Sequence, residues 1–328
     1  MIVTDETNSQ LVCAVDLGGT YLRTATIDPR GRIQFRRKQR TPVTDDPQEI
    51  VSAIVMAARK CDEQSEAAGY SLGTISIVVP GTVDIASGRI TRIPNVPALD
   101  SFELTAALTD SLNRPVILEN DANAAAVGEM WLGAARGYRT IVCLTLGTGV
   151  GSGIILDGKL WHGANDSAGE IGHTSIEPFS GDACSCGSRG CLEVYASATA
   201  IVRMAREGLS RHPSSVLSSP DDLTAQDIFA AGRNGDGLAV EVFHRMGDYL
   251  GVGLANVINI LNPEMIVIGG GVANGWELFA KQMLQRIHQY AFRLPAANVK
   301  IVPAQCGDDA GLLGAARLAE DLKPRRQS

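Results

Sequence analysis

Short apolar runs that end in glycine or in a polar residue recur along this chain. Residues 11–17 (LVCAVDL), 74–79 (TISIVV) and 265–274 (MIVIGGGVAN) are the clearest examples. Short runs this apolar predict strands buried inside a sheet. Alternating segments after residue 20 (YLRTATID and GRIQFRRK) predict two more strands. Further strand-like runs flank the glycines of residues 140–156 and occupy residues 116–118 and 299–302.

Helical patterns alternate with these strands. Residues 46–49 (DPQE) combine an N-cap Asp, a Pro at the first helical position and a Glu at the third, so a helix is predicted from there to about Ala68. An Ala-rich stretch after Asp121 has high helix propensity. Further helices are predicted over residues 192–207, 223–232, 238–261, 276–290 and 310–322. The alternation of the two element types predicts an α/β fold.

Two glycine-rich turns follow buried strands. In the first, Asp16 is followed by Gly18, Gly19 and Thr20, and in the second, glycines alternate with other residues over 147–153. Neither turn has the Gly-Lys-Ser/Thr of a Walker loop or the spacing of a dinucleotide fingerprint. Such turns let backbone N–H groups approach a phosphate, and Asp16 could hold hydrated Mg²⁺, although a tight turn without a ligand is the alternative. The repetition suggests an internal duplication.

Three cysteines and a histidine are crowded into residues 169–193 (GEIGHTSIEPFSGDACSCGSRGCLE). His173, Cys184, Cys186 and Cys191 form a Cys₃His set, which is typical of structural zinc. Scattered core cysteines or a disulfide are the alternatives. The surroundings are polar, glycine-rich and without apolar periodicity, which favours the metal.

Asn120 and Asp121 are predicted where a short strand ends and the Ala-rich helix begins. Open α/β sheets bind ligands at the carboxyl ends of their strands. Either residue can instead serve only as the helix N-cap, so both roles stay open. Gly81 follows Pro80 at the end of the strand over 74–79, where a structural turn is the default interpretation and substrate contact the alternative.

Composition and charge narrow the function classes. The 328 residues are 45% hydrophobic and 20% charged, which suits a globular protein with one large or two ordinary domains. No apolar run reaches the roughly 18 residues of a membrane span, and the start lacks the pattern of a secretory signal. A net charge of −7 without a basic block argues against nucleic-acid binding. Seven cysteines, three of them in the metal cluster, favour a reducing compartment and a cytoplasmic location.

Five segments match one family in their order along the chain. They are DLGGTYLR (16–23), ENDANAAAVGE (119–129), LTLGTGVGSG (144–153), GEIGH (169–173) and CSCGSRGCLE (184–193). With these segments the chain resembles the ROK family of sugar kinases, and most closely its bacterial glucokinases. The resemblance extends from about residue 11 to residue 318.

This resemblance implies an α/β fold of the actin-like ATPase (ribonuclease H-like) type, with two domains and an active site in the cleft between them. The smaller domain would comprise residues 1–118 plus about 310–328, and the larger one residues 119–309. The implied reaction transfers the γ-phosphoryl group of ATP, with Mg²⁺, to a hexose, D-glucose giving glucose 6-phosphate. The resemblance also suggests a homodimer.

The matching motifs imply a role for each site residue. Asp121 would be the general base. The implied sugar-binding residues are Asn120, Glu170, His173, Glu193 and, at its strand end, Gly81. The implied residues for ATP and Mg²⁺ are Asp16, Gly18, Gly19, Thr20, Thr148, Gly149, Gly151, Gly270 and Gly271. The implied zinc ligands are His173, Cys184, Cys186 and Cys191, with His173 using one ring nitrogen for zinc and the other for the sugar.

Other functions share part of these features. ROK repressors carry a helix-turn-helix segment ahead of the kinase-like body, and the first phosphate motif here begins at residue 16, which leaves no room for one. A non-kinase ATPase on the same fold would not need the cluster of Glu170, His173 and Glu193. Among kinases, N-acetylmannosamine, N-acetylglucosamine and fructose stay open as substrates, and polyphosphate stays open as the phosphoryl donor.

Overall fold

The computed structural model describes residues 10–217 and 222–321 of the chain. Its strands form two five-stranded sheets and one two-stranded sheet. The first large sheet contains β1 (Leu11–Leu17), β2 (Tyr21–Ile27), β3 (Ile33–Arg40), β4 (Leu72–Val79) and β7 (Val116–Asn120). The small sheet contains β5 (Thr82–Asp84) and β6 (Arg89–Arg92). The second large sheet contains β8 (Ile141–Leu146), β9 (Val150–Leu156), β10 (Lys159–Leu160), β11 (Met265–Gly269) and β12 (Lys300–Pro303).

The two large sheets share one plan. Their strand orders are β3-β2-β1-β4-β7 and β10-β9-β8-β11-β12. In each, an antiparallel glycine hairpin, β1–β2 or β8–β9, is followed by two strands that pair in parallel. This repetition agrees with the duplication that the two glycine-rich turns suggest.

Helices fill the connections between these strands. They are α1 (Pro47–Ala67), α2 (Leu104–Leu112), α3 (Asp121–Leu132), α4 (Glu193–Ala196), α5 (Ala198–Gly208), α6 (Ala225–Arg233), α7 (Gly237–Leu261), α8 (Trp276–Tyr290), α9 (Arg293–Asn298) and α10 (Ala310–Asp321). Among the described residues, no helix combines the length and the apolar character that crossing a membrane requires.

The predicted helix over residues 192–207 is divided in two. Ser197 lies between α4 and α5 in an extended conformation, with ψ of 169°. Its side chain accepts a hydrogen bond from the backbone N–H of Ala200 at 3.1 Å, which makes it the N-cap of a new helix. The division turns the chain so that α4 begins with Glu193 beside the second glycine hairpin.

The helices and sheets form layers. On one outer side, α1 and α2 cover the first sheet, and on the other, α5 to α8 cover the second sheet. Between the two sheets lie α3 and α10, which pack on the inner face of the first sheet, and α3 also packs on the second. Strand β1 is buried over its whole length because β2 and β4 flank it and helices cover both faces.

The predicted domain limits fall on recognisable elements. The limit between residues 118 and 119 lies within β7, which pairs with β4 as far as Asn120. The predicted return to the smaller domain at residue 310 coincides with the first residue of α10. Residues 1–9 and 322–328, assigned to that domain, lie outside the described residues. The division itself stays a prediction.

Helices α3 and α10 cross so closely that each carries a glycine at the contact. A Cβ atom on Gly314 would overlap the carbonyl oxygen of Ala124, and one on Gly128 would overlap that of Ala310. Backbone atoms cannot yield as the end of a flexible side chain can, so glycine is required at both positions. The close contact between α3 and α10 holds together the helical layer between the two large sheets.

We expect Gly314→Ala to destabilise the protein by about 3 kcal/mol, because the added methyl group forces the two helices apart. The measurement is the free energy of unfolding in urea. Gly311→Ala, in the same helix, is the matched control: its Cβ would lie 3.7 Å from Asp16 Oδ2, an ordinary contact. That variant should gain up to about 1 kcal/mol from helix propensity. Equal stability of the two variants would contradict the close crossing.

Candidate active site

The junction between β7 and α3 places Asn120 and Asp121 side by side. Asn120 Oδ1 accepts hydrogen bonds from the backbone N–H groups of Ala122 and Asn123, at 2.9 and 3.0 Å, so Asn120 is the N-cap of α3. Its Nδ2 donates to the carbonyl oxygen of Gly81 at 2.9 Å. The capping role that the sequence left open therefore belongs to Asn120, and the same side chain connects β7 to the turn after β4.

Asp121 lies close enough to Asp16 for the two carboxylates to repel each other. Burial is the main cause that raises the pKa of Asp121 to about 7, and the charge of Asp16 adds to it. Burial also raises the pKa of Asp16, while the charge of Arg23 opposes the rise. Arg23 forms an ion pair with Asp16 and donates to the carbonyl oxygen of Asp308 at 3.0 Å. A cation beside this pair of acids would favour their ionised forms.

The second glycine hairpin, over residues 147–153, approaches both Glu193 and the first turn of α3, the helix that begins at Asp121. A Cβ atom on Gly151 would lie 3.0 Å from the Cβ of Ala122 in the first turn of α3. On the neighbouring residue, the Val150 N–H donates to Glu193 Oε2 at 2.9 Å. Glu193 therefore lies against the hairpin, one residue from the segment that packs on α3.

The segment with Glu170 and His173 packs on the same strand. Residues 171–173 form a 3₁₀ turn, and the Ser152 hydroxyl, on β9, donates to the Gly169 carbonyl oxygen just before it. His173 Nε2 lies 3.9 Å from Glu170 Oε2. Strand β9 thus brings Asp121, Glu193 and this turn to one region of the structure.

Three cysteines meet the other ring nitrogen of His173. Cys184 Sγ lies 3.6 Å from His173 Nδ1, and the sulfurs of Cys186 and Cys191 lie 3.7 Å apart. One ligand atom from each of the four residues lies within 4.8 Å of the others. Tetrahedral zinc with sulfur ligands at about 2.3 Å needs them about 3.8 Å apart, so the donor set fits this metal.

The predicted phosphate-binding residues lie at the turns that follow β1, β8 and β11. In the first hairpin, the Gly18 N–H donates to the Tyr21 carbonyl oxygen at 3.0 Å, and the Thr41 hydroxyl donates to the Gly18 carbonyl oxygen at 2.6 Å. Gly269 pairs with Thr145, which places Gly270 and Gly271 beside the start of the second hairpin. The remaining members of the set, Gly19, Thr20, Thr148 and Gly149, belong to the two hairpin turns.

A cavity of about 460 Å³ opens next to the second hairpin. It is lined by Thr148, Ala198, Thr199, Val202, Arg203, Arg206, Glu207 and Ala225. Its volume is in the range of small-ligand pockets. The Thr199 hydroxyl donates to the Thr148 carbonyl oxygen at 2.9 Å, which ties the hairpin turn to α5 and to this cavity.

The sequence does not predict two charged pairs at this site, that of Arg23 with Asp16 and that of His162 with Glu119. His162, for which the sequence indicated no partner, has its Nε2 2.8 Å from Glu119 Oε2. Glu119 immediately precedes Asn120 and is buried. A carboxylate directly after an apolar strand is the only local signal, because its partner is 43 residues away in the sequence.

Comparison with known proteins gives the family. A sequence model of the ROK family matches residues 12–322. The chain belongs to the ROK family. A glucokinase from Halalkalibacterium halodurans is 39% identical to this ROK protein over 304 residues, which cover 92% of each chain.

Solved structures agree with this assignment. The crystal structure of a ROK family glucokinase from Streptomyces griseus, in complex with glucose and AMPPNP, matches with a TM-score of 0.83 at 34% identity, over 95% of this chain and 99% of that one. The crystal structure of a ROK family transcriptional regulator, a homolog of the E. coli MLC protein, matches with a TM-score of 0.87 at 28% identity. The match covers 95% of this chain and 78% of the regulator. The predicted actin-like, two-domain α/β fold is confirmed.

The raised pKa of Asp121 makes stability depend on pH. Between its ordinary value of 3.8 and about 7, the folded ROK protein keeps a proton that the unfolded chain releases, so rising pH lowers the free energy of unfolding in that window. Asp121→Asn carries no such proton. We expect the free energy of unfolding of this variant to increase relative to that of the wild type as pH rises from about 4 to about 7. Above about pH 7 the difference between the two proteins should stay constant.

Urea unfolding without ligands at several pH values measures this difference. Asp45→Asn, which replaces an exposed aspartate, is the control and should show a far smaller dependence. A stability difference between Asp121→Asn and the wild type that does not change with pH would show that Asp121 ionises normally.

Proposed function

We propose that this ROK protein is an ATP-dependent glucokinase that converts D-glucose to glucose 6-phosphate. The observation that supports the proposal is that β9 contacts both the first turn of α3, which begins with the half-buried Asp121, and the turn with Glu170 and His173. The fold does not separate kinases from regulators, since both occur among the solved neighbours. A base beside a polar sugar-binding cluster is what a sugar kinase requires.

In the proposed reaction, Asp121 takes the proton of the terminal sugar hydroxyl as its oxygen attacks the γ-phosphorus of ATP in line. The new bond joins the sugar oxygen to phosphorus, the bond to the β-phosphate oxygen breaks, and ADP leaves. A pKa of about 7 for Asp121 suits a general base near neutral pH. Little covalent help is needed, because phosphoryl transfer depends mainly on positioning and on charge neutralisation.

The sugar would be held by side chains and backbone from three parts of the structure. Asn120 and Gly81 lie at the end of the first sheet, Glu170 and His173 on the turn after β10, and Glu193 at the start of α4. Carboxylates, an amide and an imidazole supply both donors and acceptors, which a hexose with several hydroxyls requires. We assign these five residues to sugar binding.

The phosphates of ATP would lie between the two glycine hairpins. The backbone of Gly18, Gly19 and Thr20 would line this space from the first hairpin and that of Thr148, Gly149 and Gly151 from the second, and Gly270 and Gly271 would complete the set. Asp16, paired with Arg23 and close to Asp121, would hold Mg²⁺ through water. Bound Mg²⁺ would neutralise the phosphate charge. The cavity beside Thr148 would accept the rest of the nucleotide.

The four residues His173, Cys184, Cys186 and Cys191 would hold a structural Zn²⁺. All four ligand positions belong to protein side chains, so no position is open for a reactive water. His173 Nδ1 faces the cysteines and its Nε2 faces Glu170. Metal binding would therefore fix the ring orientation that the sugar contact needs.

We further propose a cytoplasmic homodimer, with the chain divided into domains at residues 118 and 310. The seven free cysteines suit a reducing compartment. The metal site would lose its ligands if these thiols were oxidised to disulfides.

A kinase assay with ATP, Mg²⁺ and a sugar panel tests the function. Glucose should give the highest kcat/KM among glucose, fructose, N-acetylmannosamine and N-acetylglucosamine. Asp121→Asn keeps the shape of the side chain but removes the base, so kcat should fall by about 100-fold or more with little change in KM for glucose. A wild-type kcat in this variant would place the base elsewhere, and a better substrate would correct the sugar.

Metal analysis tests the zinc site. Protein purified without chelator should contain one zinc per chain, and Cys186→Ser, a change at an exposed ligand, should abolish binding. We expect that variant to melt at a lower temperature and to show a raised KM for glucose, because His173 loses its anchor. Cys306→Ser, outside the cluster, should keep the metal. Zinc-free wild-type protein would refute the site.

A further inference from the structure

A part-buried pair of His162 and Glu119 lies at the end of β7, two residues before the proposed base, and has no role in the proposed reaction. The Glu119 side chain is 4% exposed and that of His162 29%. His162 Nε2 lies 2.8 Å from Glu119 Oε2. A buried carboxylate is costly without partners, so Glu119 depends on the groups that surround it.

The other oxygen of Glu119 holds the first turn of α3. Glu119 Oε1 accepts from the backbone N–H of Asn120 at 2.9 Å and from Asn123 Nδ2 at 3.0 Å. These two donors flank Asp121 in the sequence, one on each side. The position of Glu119 therefore limits how far the turn that carries Asp121 can move.

His162 belongs to the loop over residues 161–169, which leads directly into Glu170. The loop follows β10, and its first residue is held to β9, where the Ile154 carbonyl oxygen accepts from the Trp161 N–H at 2.8 Å. It also reaches the small sheet, because Asp166 Oδ2 accepts from the Ile85 N–H at 3.0 Å. His162 thus connects the segment with the proposed sugar ligands to Glu119, which is two residues before the proposed base.

The charge state of this pair depends on pH. The hydrogen bond to Glu119 raises the pKa of His162, burial opposes the rise, and the charges of Glu119 and of Asp166 add to it. The ring is therefore protonated more readily than an ordinary histidine. The ionic pair is complete below the raised pKa and is lost as pH rises through it.

We infer that His162 is a positioning residue for phosphoryl transfer. Through Glu119 it fixes the first turn of α3 relative to the segment with Glu170, and so sets the distance between Asp121 and the sugar hydroxyl. This inference rests on the proposed kinase function. His162 acts through Glu119, and its contribution is to geometry.

Steady-state kinetics of the full chain with glucose, ATP and Mg²⁺ tests this role. His162→Ala should lower kcat by roughly 10- to 100-fold, because a small displacement of the reacting groups is enough for such a loss. KM for glucose and ATP should change less than kcat. His162→Gln, which keeps an amide donor toward Glu119, should recover part of the loss. The matched control is His212→Gln: His212 Nε2 also lies 2.8 Å from a carboxylate, that of Glu241, but on the surface around α7.

The pH profile separates positioning from a general structural role. The kcat of the wild type should fall at alkaline pH as His162 loses its proton, and this limb should be absent in His162→Gln but present in His212→Gln. In a double-mutant cycle, adding Glu119→Gln to His162→Gln should cost little beyond the single change.

Two results would overturn the inference. One is a wild-type kcat and alkaline limb in both His162 variants. The other is a loss of activity that equals the loss of folded protein, measured by circular dichroism, with an unchanged pH profile. A wild-type chain that phosphorylates no sugar would instead refute the proposed function, and the inference with it.

Discussion

The hydrogen bonds of the Asn120 side chain are the constraint on which the site depends. Its oxygen caps α3 and its nitrogen reaches the Gly81 carbonyl oxygen, so one residue joins the first sheet, the turn after β4 and the helix between the sheets. Asp121 Oδ1 shares the Ala122 N–H at 2.8 Å, and the described part of the chain shows no other side-chain hydrogen bond of Asp121. A helix N-terminus also carries partial positive charge, which favours the ionised form of an acid placed there.

Strand β9 is the second organising element, because three separate segments meet on it within four residues. Gly149, Gly151 and Gly153 have no side chains, so the Glu193 carboxylate and helix α3 can approach the hairpin backbone closely. The Val150 N–H and the Ser152 hydroxyl then supply direct hydrogen bonds to Glu193 and to Gly169. A strand with larger residues at these positions would hold the base and the sugar-binding turn apart.

Local signals in the sequence predicted much of this architecture. The buried strands of the two large sheets, the longer helices α1, α3, α5, α7, α8 and α10, and both glycine hairpins follow from patterns that are local in the sequence. The four candidate metal ligands are also close in sequence, and the structure brings them together. The hairpin of β5 and β6, strand β10 and helices α2 and α9 are short and are not predicted, because their apolar patterns are weak.

Contacts between distant segments could not be predicted in the same way. Nothing local in the sequence pairs His162 with Glu119, or marks Ser197 as the cap that divides one predicted helix into two. The proximity of Asp16 to Asp121 likewise depends on β1, β4 and β7 lying side by side. The roles of Asp16 and Asp121 in the site follow from the family resemblance, which carries information about tertiary structure that hydrophobic periodicity does not.

The position of α10 has a consequence for how the protein is made. The inner face of the first sheet, including Val12, Ala14 and Val78, is covered by Leu312, Leu313 and Ala316 from the end of the chain. A ribosome must therefore add roughly 300 residues after the first strand before that strand can acquire its cover. During synthesis that apolar face must remain exposed or be shielded by a chaperone, and the N-terminal half cannot complete its folding as an independent nascent unit.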